Sequence, residues 1–151
     1  MAEENKSEKT EGNSSLPDQR HGGTILLVED DDLIRKLTQR ILTLNGYTVL
    51  SATGPEEAVR SAVEHGSIQL MITDVAMPRM DGRELAKYLE LAHPEMKVLY
   101  MSGYTSGIIS HNGLLEEGLA FIEKPFTSDE LLRRVKLVLG ERVAVGAGGG
   151  F

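Results

Sequence analysis

The stretch IQLMITDVAMPRMDG, residues Ile68–Gly82, decides the fold of this chain. Its apolar run from Ile68 to Thr73 predicts a strand that is buried on both faces, and Met77-Pro78 followed by Asp81-Gly82 predicts a loop that leads to a helix. Asp74 stands at the junction. An Asp at the carboxyl end of a buried parallel strand lies where open α/β sheets bind ligands, although Asp is also a common turn residue. This stretch alone favours function and turn chemistry about equally.

The bulk properties are those of one soluble domain. The chain has 151 residues, of which 40% are hydrophobic and 26% charged. A net charge of -7 argues against a nucleic-acid-binding surface, and the lack of cysteine excludes disulfides and thiolate metal sites. The first residues are acidic and polar, unlike a secretory signal, and no apolar segment approaches the roughly 20 residues that cross a bilayer. We therefore expect a cytoplasmic protein with no membrane contact.

Four other short apolar runs predict strands of the same kind as the one before Asp74. They are Thr24–Val28, Tyr47–Leu50, Val98–Met101 and Leu119–Ile122. Between the first two strands, apolar residues recur at Leu33, Leu37, Ile41 and Leu44 and stop at Asn45-Gly46, a pattern typical of an amphipathic helix with a left-handed terminator.

Caps and helix breakers predict the remaining helices. A second helix begins at Gly54-Pro55 and ends near His65-Gly66. A third runs from Arg83 to Leu91, with Leu85 and Leu89 inward. The last follows a capping box of Thr127 and Glu130 and ends at Gly140. The segment from Thr105 to Glu117 predicts a poorly stable helix, since each of its glycines costs up to about 1 kcal/mol relative to alanine.

Five strands alternating with five helical segments predict an α/β fold with a parallel, doubly wound sheet and helices on both faces. We expect the domain to cover residues 24–140. Residues 1–23 are too polar to offset the entropy of ordering, so they predict a disordered tail or linker. Residues 141–151 are glycine-rich and predict a flexible tail.

Polar residues follow four of the predicted strands: Glu29 and Asp30 the first, Asp74 the third, Ser102 the fourth and Lys124 the fifth. The carboxyl ends of parallel strands share one edge of the sheet, so we expect these side chains to meet. Three carboxylates so close would repel one another unless a cation lay among them, and such oxygen ligands suit Mg²⁺ rather than zinc.

A carboxylate beside a hard cation, an ammonium and a hydroxyl is suited to receive a phosphoryl group. Asp74 is the predicted nucleophile and would form an aspartyl phosphate. This requires Asp30 and Lys124 at the same sheet edge and an Asp74 that solvent reaches. Alone, Ser102 is an ordinary turn residue and Lys124 an ordinary loop lysine.

Several other polar residues are interpreted as structural. Asp31 and Asp32 are predicted to be a helix cap and a first-turn charge. The four histidines, His21, His65, His93 and His111, lie in the tail or near helix ends and are predicted to be structural or surface residues.

Taken together, the motifs resemble the receiver domain of two-component response regulators over about Thr24 to Leu139. The resemblance is carried by Glu29-Asp30, by Asp74 with Met77-Pro78 and Asp81-Gly82, by Ser102-Gly103 and by Lys124-Pro125-Phe126. It implies a flavodoxin-like (βα)5 sheet with strand order 2-1-3-4-5. The segment from Tyr100 to Thr105 resembles the receivers of hybrid sensor kinases.

The resemblance also implies roles for individual residues. Asp74 would accept phosphate from a phosphohistidine on a histidine kinase or histidine phosphotransfer protein. Mg²⁺, or Mn²⁺ in its place, would be bound by Asp30, Asp74 and the backbone carbonyl of Ala76, and by Glu29 through water. Ser102 would donate to the phosphoryl group and Lys124 would pair with it. The Lys124–Pro125 peptide would be cis.

Three positions depart from the commonest family pattern. Glu29 stands where aspartate is more usual, Ala76 contributes no side chain to the site, and Phe121 occupies a switch position often held by tyrosine. The implied switch draws Ser102 inward and shifts Phe121. It would repack the face built from residues 105–117, the fifth strand and the last helix, which would bind a downstream protein or a second copy of the chain.

Two other functions stay open from the residues alone. A Mg²⁺-dependent phosphohydrolase also forms an aspartyl phosphate, but it normally has a second carboxylate two residues later, where this chain has Ala76. A receiver-like interaction module that is never phosphorylated is the other alternative. We favour a phosphorylatable signalling switch, which is not an enzyme beyond the transfer to its own Asp74.

Overall fold

The computed structural model describes residues 23–103 and 119–140. The predicted tails, apart from Gly23, and the predicted helix over residues 105–117 lie outside these residues, as do His21 and His111. Within the described ranges the strands are β1 (Thr24–Val28), β2 (Thr48–Ala52), β3 (Leu70–Asp74), β4 (Lys97–Ser102) and β5 (Phe121–Glu123). The helices are α1 (Asp32–Leu44), α2 (Pro55–Glu64), α3 (Gly82–Glu90) and α4 (Ser128–Leu139).

All five strands form one parallel sheet in the order β2-β1-β3-β4-β5. The register brings the carboxyl ends level, since Val28 pairs with Thr73, Asp74 with Met101 and Ser102 with Glu123. The predicted strand order and the predicted doubly wound fold are confirmed.

A hydrophobic core lies on each face of the sheet, and each core takes its residues from two helices. On one face Leu42 of α1 and Leu131 and Val135 of α4 pack against residues of β1, β3, β4 and β5. On the other face Ala58 and Ala62 of α2 and Leu85 and Leu89 of α3 pack against residues of β1, β2, β3 and β4. Every residue of β3 is buried, as the continuous apolar run before Asp74 predicts.

The buried face of α1 differs from the one that apolar spacing suggests. Leu33, Leu37 and Leu44 are 66%, 52% and 74% exposed, whereas Thr38 and Leu42 are the buried residues of this helix. The contact with the sheet therefore follows Thr38 and Leu42, which are four residues apart and share one side of the helix. The apolar spacing predicted the helix correctly, but of its four apolar positions only Ile41 packs against the core.

The loops at the carboxyl edge of the sheet enter their helices through capping residues. Asp31 accepts a hydrogen bond from the Ile34 amide (3.0 Å), so its predicted role as a helix cap is confirmed. Asp81 with Glu84 and Thr127 with Glu130 form capping boxes at α3 and α4. These caps fix where each loop ends, next to the strand ends that carry the polar residues.

The two described histidines are held by backbone carbonyls. His93 is buried, with its Nε2 2.8 Å from the Ala62 carbonyl oxygen, and Nδ1 of the exposed His65 lies 3.0 Å from the Ser61 carbonyl oxygen. His93 is thus a structural residue and His65 a surface residue, within the predicted alternatives. Among the described residues, no helix has the length and hydropathy that a membrane span requires.

Candidate functional site

Three charged side chains extend from one face of the sheet at its carboxyl edge. Side chains alternate along a strand, so a residue two positions after a core residue points to the same face. Glu29, Asp74 and Lys124 each stand two residues after a member of the same core cluster, namely Leu27, Ile72 and Ile122. The alternation of the strands thus places two carboxylates and one ammonium together.

The Lys124 ammonium joins the two carboxylates directly. Its Nζ lies 2.8 Å from Oδ1 of Asp74 and 2.9 Å from Oε1 of Glu29. The side chains are 17% exposed for Lys124, 8% for Asp74 and 1% for Glu29. At this burial the two ion pairs are poorly screened by solvent, so they define the geometry of the site.

Asp30 completes an acidic cluster with these residues. One carboxylate oxygen from each of Glu29, Asp30 and Asp74 lies within 4.8 Å of the others. Asp30 is exposed, whereas the whole Asp74 residue is only 6% exposed. Asp30 is therefore the exposed member of the cluster, whereas Asp74 keeps only 8% of its side chain exposed.

The two buried carboxylates have opposite pKa shifts. Burial and then the hydrogen bond with Glu29 raise the pKa of Asp74 to about 7, although Lys124 opposes the rise. Burial would also raise the pKa of Glu29, but hydrogen bonds with Asp74, the Asp31 amide and Lys124 together hold it below its usual value. Below about pH 7 the pair therefore holds one proton, on the side of Asp74, and the proton is lost as the pH rises through that value.

The raised pKa of Asp74 predicts how the stability of the metal-free protein depends on pH. The folded carboxyl holds its proton up to about pH 7, whereas the ordinary value is 3.8, so folding favours the protonated form. We expect the free energy of unfolding to fall as the pH rises from about 5 to about 7, by at most ~1.4 kcal/mol per pH unit. Urea unfolding in the presence of a chelator measures this slope.

Asp74→Asn is the matched control for this titration, because the amide has no proton to lose. Glu29, whose pKa is lowered from 4.5, titrates below the chosen window, and both proteins keep every histidine. The variant should show the smaller loss of stability over the same range. If the free energy of unfolding falls equally steeply with pH in the two proteins, the titrating group is not Asp74.

Glu29 is held on three sides. Its Oε2 accepts from the Asp31 amide (2.9 Å) while Oε1 accepts from Lys124, and its own amide donates to the Ala52 carbonyl (3.0 Å). Its carbonyl oxygen accepts from Nη1 of Arg35 at 2.9 Å. The sequence pattern did not single out Arg35. Its one sequence signal is that it stands three residues after Asp32, in the fourth position of α1, where the two side chains can pair.

Gly82 allows α3 to begin directly against the end of β3. A Cβ atom at this position would collide with the carbonyl oxygen of Asp74, and the Gly82 amide donates to the Val75 carbonyl at 2.7 Å. This close backbone approach requires glycine. It gives a physical reason for the pair Asp81-Gly82 after the strand that bears Asp74.

The loop between β3 and α3 carries Ala76, which is exposed. The loop turns sharply at Arg79, which has a φ of 74° and is spanned by a hydrogen bond of 2.8 Å from the Met80 amide to the Pro78 carbonyl. Such a γ-turn is rare for a residue with a side chain. Arg79 also pairs with Glu56 at 3.1 Å, but both side chains are mostly exposed, so this pair stabilises the loop by at most about 1 kcal/mol.

The remaining predicted residues lie on the β4 and β5 side of the site. Ser102 ends β4, and its carbonyl oxygen accepts from the Lys124 amide at 2.8 Å. Phe121 is buried and packs with Tyr100 and with Val75, the residue after Asp74. The Lys124–Pro125 peptide is cis, as the resemblance implies.

The cluster fits a hard divalent cation. Three carboxylates face one ammonium in the described part of the site, so the local charge is negative, and the donor atoms are all oxygen. Mg²⁺ prefers oxygen ligands and keeps several of its waters when bound, so a set of carboxylates that includes the exposed Asp30 suits it. The Ala76 loop lies directly after Asp74 and could add a carbonyl oxygen.

Comparison with known proteins agrees with this site. The profile of the response regulator receiver domain matches residues 25–136. Sensor kinase CckA of Brucella abortus (strain 2308) is 37% identical over 117 residues, which make up 77% of this chain and 12% of that protein. Response regulator MprA of Mycobacterium leprae (strain TN) is 32% identical over 115 residues, or 76% of this chain and 50% of that protein. The chain therefore spans half or less of these relatives.

Solved structures give the same result. The receiver domain of the hybrid histidine kinase CckA is 38% identical with a TM-score of 0.66, and the match covers 78% of this chain and 99% of that one. A response regulator receiver domain protein from Clostridium thermocellum is 26% identical with a TM-score of 0.68, covering 79% and 95%. The predicted similarity to receivers of hybrid sensor kinases is confirmed. This chain belongs to the response regulator receiver domain family, the phosphoacceptors of two-component signalling.

Proposed function

We propose that Asp74 is the residue of this chain that accepts the phosphoryl group, and that the donor is a phosphohistidine on a histidine kinase or histidine phosphotransfer protein. The observation that carries the proposal is the contact of Asp74 with Lys124 at 2.8 Å inside a cluster of three carboxylates. The chain would act as a switch and catalyse only the transfer to itself. We take residues 24–140 as the domain that performs it.

The transfer forms one bond and breaks one. A carboxylate oxygen of Asp74 attacks phosphorus, the bond from phosphorus to the donor nitrogen breaks, and the electron pair of that bond returns to the imidazole. Asp74 must be deprotonated to attack. Lys124 already contacts Asp74 and would pair with the phosphoryl oxygens, while Ser102 would donate to them from the end of β4.

The same site would hold Mg²⁺, or Mn²⁺ in its place, through Asp30, Asp74 and the Ala76 carbonyl, with Glu29 acting through water. When bound, such an ion neutralises charge on the transferred oxygens. The contacts of Glu29 support an indirect role, since both of its carboxylate oxygens already accept hydrogen bonds from the protein. Binding the cation would also keep Asp74 deprotonated, because the proton and the metal compete for it.

The direct test is incubation with acetyl phosphate and Mg²⁺ followed by intact-mass spectrometry. A single added phosphoryl group, absent when a chelator replaces Mg²⁺, is the expected result. The protein should not turn over small phosphate esters many times. Repeated turnover would favour the phosphohydrolase instead, and the absence of any labelling would favour an interaction module that is never phosphorylated.

The proposed output is a change of packing at Phe121. This side chain contacts Val75, so a movement of the strand end at Asp74 reaches it through one neighbour. The face formed by residues 105–117, β5 and α4 would then bind a downstream protein or a second copy of the chain. We place this switch in the cytoplasm. Direct contact with nucleic acid or membrane is not part of the proposal.

Hydrogen exchange over residues 105–117 tests this switch. We expect amide protection in this segment to change when beryllofluoride and Mg²⁺ are added as a phosphoryl analogue, because the two states differ in packing there. Asp74→Asn, which should not bind the analogue, is the control. Identical protection with and without the analogue in the unsubstituted protein would rule out a switch at this face.

A further inference from the structure

Arg35 carries a permanent charge in a nearly buried position beside the acidic cluster. Its side chain is 11% exposed. A buried guanidinium is tolerated only when hydrogen bonds replace its water. Arg35 meets this condition with two bonds, from Nη1 to the Glu29 carbonyl oxygen at 2.9 Å and from Nη2 to Oδ1 of Asp32 at 2.6 Å.

The two bonds differ in what they hold. Asp32 is 77% exposed and lies on the same helix, three residues before Arg35, so that ion pair is local and screened by solvent. The Glu29 carbonyl belongs to the peptide that links Glu29 to Asp30. The bond to it therefore ties the start of α1 to the loop that presents the acidic pair.

The Glu29–Asp30 peptide decides where the Asp30 carboxylate points. The amide and the side chain of Glu29 are fixed by Ala52, Lys124 and Asp31, and the bond from Arg35 fixes its carbonyl. Glu29 and Asp74 are packed in place by burial, whereas Asp30 is exposed and depends on its backbone. Rotation of this peptide would move the Asp30 oxygen away from its partners.

We propose that Arg35 is a positioning residue for the divalent cation site, because it fixes the Glu29–Asp30 peptide so that the Asp30 carboxylate stays within reach of Asp74. This inference rests on the proposed function, in which Asp30 and Asp74 hold a divalent cation. Arg35 touches neither the cation nor the phosphoryl group.

The sign of the effect separates this role from simple electrostatics. If Arg35 acted only as a nearby positive charge, its removal would strengthen the binding of a cation. If it positions Asp30, its removal weakens binding, and loss of a supporting hydrogen bond around a metal site typically costs tenfold or more. The two effects oppose each other, so weaker binding in a variant without the charge identifies positioning.

The experiment measures binding of Mn²⁺ to the full chain by the electron paramagnetic resonance signal of the free ion, and of Mg²⁺ by calorimetry. Arg35→Ala should raise the Kd for both ions about tenfold. Arg35→Gln, which removes the charge but keeps an amide donor toward the Glu29 carbonyl, should recover most of the affinity. Asp32→Asn, the control, removes the ion pair but leaves the bond to Glu29 and should change Kd less than twofold.

Acetyl phosphate labelling adds a second measurement. The Mg²⁺ concentration for half-maximal labelling of Arg35→Ala should rise with Kd, while the rate at saturating Mg²⁺ stays near that of the unsubstituted protein. Should Arg35→Ala fail to fold, Arg35→Met replaces it as the variant without a donor, and its Kd is compared with that of Arg35→Gln. Unchanged or tighter Mn²⁺ binding in folded Arg35→Ala or Arg35→Met would overturn the role of Arg35, whereas an unsubstituted protein that binds no Mn²⁺ and is not labelled would overturn the proposed function itself.

Discussion

Asp74→Asn is expected to reduce labelling by acetyl phosphate to background while leaving the fold intact. The amide keeps the shape of the carboxyl group but lacks a nucleophilic oxygen, so no aspartyl phosphate can form. Asp74 contacts both Lys124 and Glu29 at the centre of the site. The substitution replaces one oxygen of this side chain and leaves the neighbouring residues unchanged. Intact-mass spectrometry with acetyl phosphate and Mg²⁺ measures the loss.

The stability of Asp74→Asn shows whether the loss of labelling could simply come from unfolding of the variant. Folding raises the pKa of Asp74, so the charged carboxylate is disfavoured there at about pH 8 and a neutral amide should be tolerated better. Metal-free Asp74→Asn should therefore unfold at the same temperature as the unsubstituted protein or above it. Labelling that persists in this folded variant would assign the phosphoryl group to another carboxylate, such as Asp30.

Local patterns in the sequence were sufficient for the fold class, and the family resemblance supplied the strand order. The runs around Leu70 and Leu26 predict strands buried on both faces, and parallel strands with helical crossovers have few possible arrangements. The same logic placed the polar residues at one edge, because the carboxyl ends of all strands in such a sheet coincide. That is why Asp74 and Lys124, which are 50 residues apart, could be expected to meet.

Tertiary contacts decided what the sequence could not show. Of the four apolar positions that predicted α1, Ile41 packs against the core, whereas Leu33, Leu37 and Leu44 are exposed. The sheet contacts the side of Thr38 and Leu42, and spacing alone cannot tell which side meets a partner. The bond from Arg35 to Glu29 is equally hidden, since its acceptor is a backbone carbonyl with no sequence signature.

Lys124→Met is expected to destabilise the metal-free protein by about 3 kcal/mol at about pH 8 and to slow labelling by about a hundredfold. Methionine keeps most of the length of the lysine stem, so packing is largely preserved and the loss measures the ammonium. Without it, Glu29 and Asp74 remain buried with no cation between them. Urea unfolding and the rate of labelling by acetyl phosphate measure the two effects.

Two rescues identify the cause of the lost stability. Mg²⁺ should restore much of it, because a cation among the carboxylates replaces the missing positive charge. Asp74→Asn in the Lys124→Met background should do so without metal, because it removes one of the two repelling charges, and the double-mutant cycle gives the coupling between residues 74 and 124. If Lys124→Met is as stable as the unsubstituted protein without metal, or if its two rescues have no effect, Lys124 does not balance these carboxylates. The electrostatic basis for transfer to Asp74 would then have to come from other residues.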